Sequence, residues 1–508
     1  MGVDLFHKHI SADTELWKSV LDGPCQLVAM DREGKPIKAP LLRQALSLLH
    51  DLHIYTSQFE PRFLASSQAY VIDWVEKHCE NDLSAYVHDS FELMDKEMKR
   101  CDAYQFDPST RRALLNNMEY LIVERKANRL TDEADFAKLL DQNAADVLAR
   151  LYNLLDRRNL ALRLKSPFEK WILETGTQIV FSDKEQDQMI TRLLTLKRQL
   201  DNIWRDSFQK NEALGHALRE SFEAFINKTR KSNESWGTDN SKVGEYIAKY
   251  VDMLLRGGVK AIPVSLNMAF RKRAGSLVST NGPPALPKEA TEEKEAEQDE
   301  DEDLDEDQAI DDQLDQVLDL FRFLHGKAVF EAFYKKDLAK RLLMGRSADE
   351  EKERGMLSRL KTECGAGFTQ NLEQMFNDIS LSREELESYK SLQAERQQKS
   401  AIDLSVHVLA ASAWPTYPDI PVAIPPDVKT AIDAYGEHYQ SKHRGRKLTW
   451  KHALSHCQIK ANFPKARKEL VVSCFQAVVL LYFNNVASDE KVSYETLKAA
   501  TQLRMSQH

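Results

Sequence analysis

Apolar residues recur every three or four positions through much of the first half of this 508-residue chain. Such spacing places them on one face of an α-helix, and several such faces follow one another between Leu41 and Lys228. Prolines are rare in this stretch and strand-like alternation is absent, which predicts an all-α region of stacked helices. The main stripes are Leu83, Tyr86, Val87, Phe91, Met94 and Met98; Leu114, Leu115, Met118, Leu121 and Ile122; Val147, Leu148, Leu151, Leu154 and Leu155; Met189, Leu193, Leu196, Leu200, Ile203 and Trp204; and Leu214, Leu218, Phe222 and Phe225.

Two further amphipathic patterns meet at Gly326, the expected break between two helices, because glycine weakens a helix interior. The pattern before it comprises Val317, Leu320, Phe321 and Leu324, and the one after it Phe330, Phe333, Tyr334, Leu338 and Leu342. The second helix also carries four cations, which are Lys335, Lys336, Lys340 and Arg341. On pattern alone this is a bundle helix with a solvated basic edge.

The order of residues in this helix is more specific than its periodicity. VFEAFYKKDLAKRLL, from Val329 to Leu343, resembles the signature of the cullin family, the elongated scaffolds of ubiquitin ligases. LFRFLHGK before it and MLSRLKTECGAGFTQNLEQMFNDISLS, from Met356 to Ser382, extend the likeness, and the variant is most similar to the cullin-4 branch. The signature residues of the helix are Phe330, Tyr334, Lys335, Lys336, Leu338, Arg341 and Leu342.

The resemblance implies a mostly α fold. It consists of an elongated stalk of cullin repeats, each a five-helix bundle, then a four-helix bundle, a small α/β domain and the start of a winged-helix region. SFQKNEALGHALRESFEAFINK, from Ser207 to Lys228, resembles the end of the third repeat. The expected domains are residues 1–130 (the tail of repeat 1 and repeat 2), 131–235 (repeat 3), 240–400 (four-helix bundle), 401–475 (α/β domain) and 476–508 (partial winged helix).

The resemblance also predicts what the chain lacks. Most of the first repeat is expected to be missing, and with it the helices that dock a substrate adaptor, which in the cullin-4 branch is a β-propeller protein. A β-propeller partner is therefore doubtful for this chain. The last winged-helix domain, which carries the lysine acceptor for a ubiquitin-like modifier, is expected to lie beyond His508.

Strand-like patterns begin after residue 400. Ile402, Leu404, Val406 and Val408 alternate with polar residues, which predicts a half-buried strand over Ala401–Leu409. Two more strands are expected at Arg446–Trp450 and Cys457–Phe463. DLSVHVLAASAWPTY and GRKLTWKHALSH resemble the cullin α/β domain.

Helices are expected on both sides of these strands. Met356–Cys364 and Leu372–Phe376 are helical in pattern. Another helix is expected to begin at Ser380 or at Ser382, where an S-x-x-E motif with Glu385 predicts a capping box. Beyond the strands, Val471–Phe483 is strongly apolar and Val492–Leu503 follows as the next helix.

In the cullin family a zinc-containing RING-box protein inserts its N-terminal strand into the sheet of the α/β domain, which is β-augmentation. The resemblance assigns this binding role to Ala401–Leu409, Arg446–Trp450 and Ile459–Phe463. The residues expected to contribute are Asp403, Leu404, Val406, Val408, Lys447, Leu448, Trp450, Ile459 and Ala461.

The net charge of −9 comes from one acidic segment, since 14 acidic residues and one lysine lie between Glu292 and Asp312. The rest of the chain carries a formal charge of +4, so a general nucleic-acid-binding surface is not indicated. Low hydrophobicity and like charge predict that an insert over 257–310 is disordered, with an acidic interaction tail or a nuclear-transport element as the functional alternative.

No apolar run approaches the roughly 20 residues that span a bilayer, so no membrane association is expected. The start, MGVDLFHKHI, lacks the apolar core of a secretory signal. Six scattered cysteines without a CxxC pair indicate a reducing compartment. Together with the resemblance, these features predict a protein of the nucleus and cytoplasm.

No catalytic constellation is evident, and no cofactor or metal is expected. His452 and His456 have the i, i+4 spacing of two metal ligands beside Cys457, but no third ligand is evident and ordinary histidines are the better interpretation. Cys364 could be proposed as a ligase nucleophile, yet it follows an acidic residue and has no nearby histidine in sequence. It is better interpreted as a structural cysteine.

The sequence therefore predicts a non-catalytic scaffold of a cullin–RING ubiquitin ligase. It would bind a RING-box protein directly and a ubiquitin-conjugating enzyme indirectly, and it would act by raising the effective concentration of substrate near the ubiquitin thioester. The alternative is a helical-repeat interaction adaptor without a ubiquitin role.

Overall fold

A computed structural model describes most of the chain, and it separates into two compact units. We call Met1–Val243 with Asp319–His325 the N-terminal unit, and Gly244–Leu318 with Gly326–His508 the C-terminal unit. The residues described are 2–228, 242–257, 260, 262–263, 266, 308–345, 349–395, 402–463, 465–486 and 491–503. Most of the predicted disordered insert lies outside them, but residues 308–310, its last three, are helical.

The N-terminal unit is helical, as the stripes predict. Its helices are α1 (Gly2–Ala12), α2 (Thr14–Arg32), α3 (Ala39–Asp51), α4 (Glu60–His78), α5 (Leu83–Tyr104), α6 (Pro108–Glu119), α7 (Ala127–Leu130), α8 (Glu133–Asp141), α9 (Ala145–Asp156), α10 (Lys165–Val180), α11 (Met189–Asn202) and α12 (Glu212–Ile226). Wider helical turns at Tyr55–Phe59, Tyr120–Glu124 and Ile203–Ser207 and tighter ones at Ala161–Leu164 and Gln186–Gln188 connect them.

Side-chain caps and apolar faces explain these helices. Asp82 accepts a hydrogen bond from the backbone N–H of Ser84 at the start of α5, and Asn211 accepts one from Leu214 at the start of α12. The predicted stripes face inward; Val87 of α5, Leu193 of α11 and Phe222 of α12 are fully buried. Transfer of apolar surface from water drives this packing.

The C-terminal unit begins with helices, and a hairpin precedes its last two helices. Its helices are α13 (Lys242–Gly257), α14 (308–322, shared with the N-terminal unit), α15 (Lys327–Met344), α16 (Glu350–Cys364), α17 (Ala366–Glu395), α18 (Pro426–Lys442), α19 (Cys474–Tyr482) and α20 (Tyr494–Thr501), with short turns at His452–Leu454 and Phe483–Asn485. Gly326 precedes α15 as its N-cap residue, which confirms the predicted break. Gly345 ends α15 with φ at 58°, a left-handed conformation that glycine adopts without a steric cost.

The capping prediction at Ser382 is wrong. Ser382 lies inside α17, which continues from Ala366 to Glu395 without a break, so its side chain is not needed to cap a helix. The hydroxyl instead bonds the backbone of Val408, 26 residues later in the chain.

Only one of the three predicted strands is hydrogen-bonded into a sheet among the described residues. β1 (His456–Asn462) pairs antiparallel with β2 (Arg467–Ser473), with Ile459 opposite Leu470. The side chains of 402–408 and 447–450 alternate in exposure, as in an extended chain. Within the described residues neither segment joins a ladder, and Ala401 lies outside those residues. Alternating apolar and polar residues show only that one face of a segment is buried, whereas a β-ladder also requires a neighbouring strand to bond with. The apolar helix predicted from Val471 begins at Cys474, because residues 471–473 complete β2.

Candidate partner-binding surface

An aromatic cluster lies beneath the two extended segments of the C-terminal unit. Tyr389 of α17 and Tyr435 and Tyr439 of α18 are buried there together with Val406. The half-buried side chains packed against this cluster are Leu386, Leu404, Val408, Leu448 and Trp450. The alternating residues of 402–409 and 446–450 therefore cover one shared floor, which we call the aromatic floor.

Polar side chains of α17 hold the first extended segment in place. The Ser382 hydroxyl lies 2.8 Å from the backbone N of Val408 and 3.1 Å from its carbonyl oxygen. The buried carboxylate of Asp378 accepts hydrogen bonds of 2.8 Å from the Ala410 N–H and from the Trp414 indole N–H. Sequence reasoning missed both anchors, because nothing local marks a helical Ser or Asp as the partner of a distant backbone.

These anchors define which edge of the segment is open. In an extended chain the N–H and C=O groups of successive residues point to opposite sides, so those of 408 and 410 face α17 while those of 405 and 407 face away. Within the described residues, the backbone groups of Ser405 and His407 form no backbone hydrogen bond. We call the backbone of 405 and 407 the open edge.

The second extended segment contributes the other aromatic contact. The ring centroids of Trp450 and Tyr435 lie 6.2 Å apart in an edge-on arrangement, and Leu448 packs against the same floor. Lys447 and Thr449 alternate with them and are exposed. Within the described residues, no backbone hydrogen bond links 447–450 to another strand.

A carboxylate joins the two helices that form the floor. Glu385 of α17 lies 3.2 Å from His438 Nε2 and 3.2 Å from Lys442 Nζ, and its other oxygen is 3.5 Å from His443 Nε2. Burial alone would raise the pKa of Glu385, but Lys442 and His443 outweigh it and hold the pKa below its ordinary value. The carboxylate is therefore charged near neutral pH and links α17 to α18.

A cleft of about 320 Å³ opens at the end of the floor, where α17 and the first extended segment meet α18. Tyr389, Leu404 and Ala431 line it, and the ion pair between Lys390 and Asp403, at 2.9 Å, lies at its rim. Its mixed lining can accommodate an apolar side chain beside a polar one.

The structure brings together five of the nine residues predicted to bind a RING-box protein. Leu404, Val406, Val408, Leu448 and Trp450 share the aromatic floor. Asp403 and Lys447 are exposed at its margins. Ile459 and Ala461 lie in β1, opposite Leu470 and Lys468 of β2.

The predicted signature helix, α15, is buried along one face. Phe330, Tyr334 and Leu338 are almost fully buried, Leu342 is half-buried, and Lys336 is exposed. The assignment of Arg341 to a solvated basic edge is wrong, since it is 1% exposed. Tyr334, Leu338 and Arg341 have i, i+4, i+7 spacing, so the periodicity itself places Arg341 on the buried face.

Arg341 forms a buried ion-pair network. Its guanidinium donates to both carboxylate oxygens of Glu353, at 2.5 and 3.0 Å, and to Asp252 at 2.5 Å. Burial alone would lower the pKa of Arg341, but Glu353 and Asp252 outweigh it and raise the pKa. The arginine therefore links α15 to α13 and α16 as a permanent cation.

The structure places the residues weighed for catalysis or metal binding in separate elements. Burial raises the pKa of the half-buried Cys364 thiol, which opposes formation of the nucleophilic thiolate. His452 lies in a short turn and His456 begins β1, so the two do not share a helix face. Among the described residues, one group of three ligand types lies close together, at His88, Asp89 and Glu92 on the surface of α5.

The contacts of that surface group show how its charges are used. His88 Nδ1 lies 2.8 Å from a guanidinium nitrogen of Arg150, and Glu92 pairs with Lys96 at 2.7 Å.

No described helix combines the length and apolar character needed to cross a bilayer.

The fold combines a long α-helical region with a small α+β region that contains a two-stranded hairpin, and comparison with known proteins identifies both. The family model of the cullin alpha solenoid domain matches residues 1–386, and that of the cullin alpha+beta domain matches residues 408–507. The chain belongs to the cullin family.

Individual relatives confirm the expected similarity to the cullin-4 branch. The chain is 34% identical to human Cullin-4A over its whole length, 31% identical to Cullin-4 of Dictyostelium discoideum over 99% of the chain, and 29% identical to Cullin-3 of the same organism over 96%. It spans 59%, 56% and 58% of those proteins, respectively, which is less than two thirds of their length.

Proposed function

We propose that this chain is a non-catalytic scaffold of a cullin–RING ubiquitin ligase. It would bind a RING-box protein through the aromatic floor, and that partner would recruit a ubiquitin-conjugating enzyme charged with ubiquitin. The catalytic contribution is proximity, because a bound substrate lysine meets the thioester at a raised effective concentration. The proposed location is the nucleus and cytoplasm.

The open edge is the observation that carries this proposal. A strand of the partner can bond the N–H and C=O groups of Ser405 and His407, as in β-augmentation. Alternate apolar side chains of that strand would cover Leu404 and Trp450, which are half-buried on the aromatic floor. Main-chain hydrogen bonds would supply affinity, and the floor and cleft would supply specificity.

Proline substitution tests the mode of binding. Ser405→Pro removes an N–H from the open edge but leaves the anchors at Val408 and Ala410 intact. Ser405→Ala retains the N–H and is the matched control. We expect a pull-down with a RING-box protein to succeed with the wild-type and Ser405→Ala chains and to lose most of the partner with Ser405→Pro.

A deletion variant tests whether residues 401–463 carry the binding of a RING-box protein. Deletion of residues 401–463 should abolish capture of the RING-box protein, while circular dichroism checks that the remaining helices are retained. Failure of the well-folded wild-type chain to capture it would refute the scaffold proposal and favour a helical-repeat adaptor. Capture that survives Ser405→Pro and His407→Pro would keep the scaffold but refute strand addition at this edge.

A further inference from the structure

The β1–β2 hairpin has two unlike faces. Cys457, Ile459 and Ala461 of β1 are half-buried, as are Leu470 and Val472 of β2, while α19 packs against both strands. The intervening residues point the other way. This second face, defined by Gln458, Lys460, Asn462, Arg467, Glu469 and Val471, is exposed, and we call it the outer face.

The end of the hairpin is strongly basic. Lys460, Lys465, Arg467 and Lys468 lie within nine residues, and Glu469 is the only acidic residue of the hairpin sequence. Within the described residues, none of these four cations pairs with a carboxylate at salt-bridge distance, and Glu469 accepts a hydrogen bond from Gln458. Unpaired like charges repel one another, so an anionic partner would relieve this repulsion.

Two large apolar side chains are exposed on the same hairpin. Val471 of the outer face is 72% exposed, and Phe463, whose N–H donates to the Ala466 carbonyl in the turn, is 52% exposed. Lone exposed apolar residues are common. Here Val471 lies opposite Gln458 and diagonal to Lys460 in the register, and Phe463 lies in the turn two residues before Lys465. A partner that covers these residues therefore needs acidic and apolar groups together.

We propose that the outer face and turn of the β1–β2 hairpin bind an acidic protein segment whose carboxylates alternate with aliphatic side chains. Its carboxylates would pair with Lys460, Lys465 and Arg467, while an aliphatic side chain covers Val471. A nucleic-acid backbone would satisfy the cations but has no aliphatic group for Val471. The acidic segment of this chain, Glu292–Asp312, also lacks an alternating aliphatic pattern.

This surface lies beyond the proposed RING-binding role, which uses the open edge and aromatic floor. The probes are three fluorescein-labelled molecules of equal length: an acidic peptide with leucine at alternate positions, a polyglutamate peptide, and oligo-dT. Fluorescence anisotropy with the full chain measures binding at two salt concentrations. We expect the leucine-containing peptide to bind most tightly and to weaken as salt is raised.

The decisive variant is the triple reversal Lys460→Glu, Lys465→Glu and Arg467→Glu. Three lost attractions should weaken peptide binding about tenfold or more. The matched control reverses three exposed lysines elsewhere, Lys18, Lys38 and Lys184, and should leave the affinity unchanged. Val471→Ser should weaken the leucine-containing peptide but not polyglutamate. Circular dichroism checks that the variants are folded.

Three outcomes would overturn the proposal. An equal loss of peptide affinity in the control triple variant would mean that binding depends only on the net charge of the chain. Tighter binding of oligo-dT that also requires the hairpin cations would identify a nucleic-acid surface. Peptide binding that appears only after residues 292–307 are deleted would make the chain's own acidic segment the occupant. Each outcome is independent of whether a RING-box protein is captured.

Discussion

At the scale of single residues, the best-defined feature is the buried charge of Arg341. A guanidinium 1% exposed is stable only when its donors meet carboxylates, and here Glu353, which is fully buried, and Asp252 provide them. The ring of Tyr334 lies 5.6 Å from the same guanidinium. The signature letters of the helix thus encode a buried polar network as well as an apolar face.

Glu353→Gln tests that network. Glu353→Gln removes one of the two negative charges that balance the buried guanidinium of Arg341 and leaves only Asp252. We therefore expect the free energy of unfolding to fall by about 3–5 kcal/mol. Hydrogen exchange of peptides from α15 and α16 measures it locally. Glu351→Gln, an exposed neighbour on α16, should change protection by less than about 0.5 kcal/mol. Equal effects of the two variants would contradict a structural role for the buried pair.

At the scale of elements, sequence patterns predict helices far better than strand pairing. The stripes of α5, α9, α11 and α12 are local signals, and the structure buries them as predicted. The segments 402–409 and 446–450 also alternate as predicted, yet they join no ladder within the described residues. A ladder is set by residues far apart in sequence or on another chain, and alternation does not identify that partner.

The anchor from α17 should decide whether the first extended segment stays in place. Asp378→Ala leaves the backbone N–H of Ala410 and the indole N–H of Trp414 without their acceptor. We therefore expect the free energy of unfolding of the C-terminal unit to fall by about 1–3 kcal/mol. Faster hydrogen exchange in peptides spanning 402–414 is the readout. Asn377→Ala, one residue away and exposed, is the control and should leave that exchange unchanged.

The charge of Glu385 makes the stability of the contact between α17 and α18 depend on pH. Its folded-state pKa is held below that of the unfolded chain, so its stabilising effect is fully present above the unfolded value, roughly 4.3, and is lost as pH falls through the folded value. Glu385→Gln should therefore cost about 1 kcal/mol at pH 7 and progressively less below pH 4. Hydrogen exchange of α18 peptides, corrected for the intrinsic rate, measures both. A stability difference between the wild-type chain and Glu385→Gln that grows as the pH falls would contradict the prediction.

At the scale of the whole molecule, family membership implies a role that no single residue performs. The solenoid and alpha+beta domain models together match residues 1–386 and 408–507, so most of the chain belongs to recognised cullin domains. The sequence identified these domains because one long signature string is specific. It did not reveal the floor, the open edge or their anchors, since these arise where segments distant in sequence meet.

A positional mechanism makes a strong prediction about Cys364, the residue that an enzymatic mechanism would need. On the proposed function, the chain together with a RING-box protein should promote discharge of ubiquitin from a charged conjugating enzyme, because the bound RING-box protein would bring that enzyme into place. Cys364→Ala should leave the rate unchanged, since burial raises the pKa of this thiol and keeps it protonated. The chain without the RING-box protein should promote no discharge. A thioester between ubiquitin and Cys364, resolved on a non-reducing gel, would instead make the chain itself a carrier of ubiquitin.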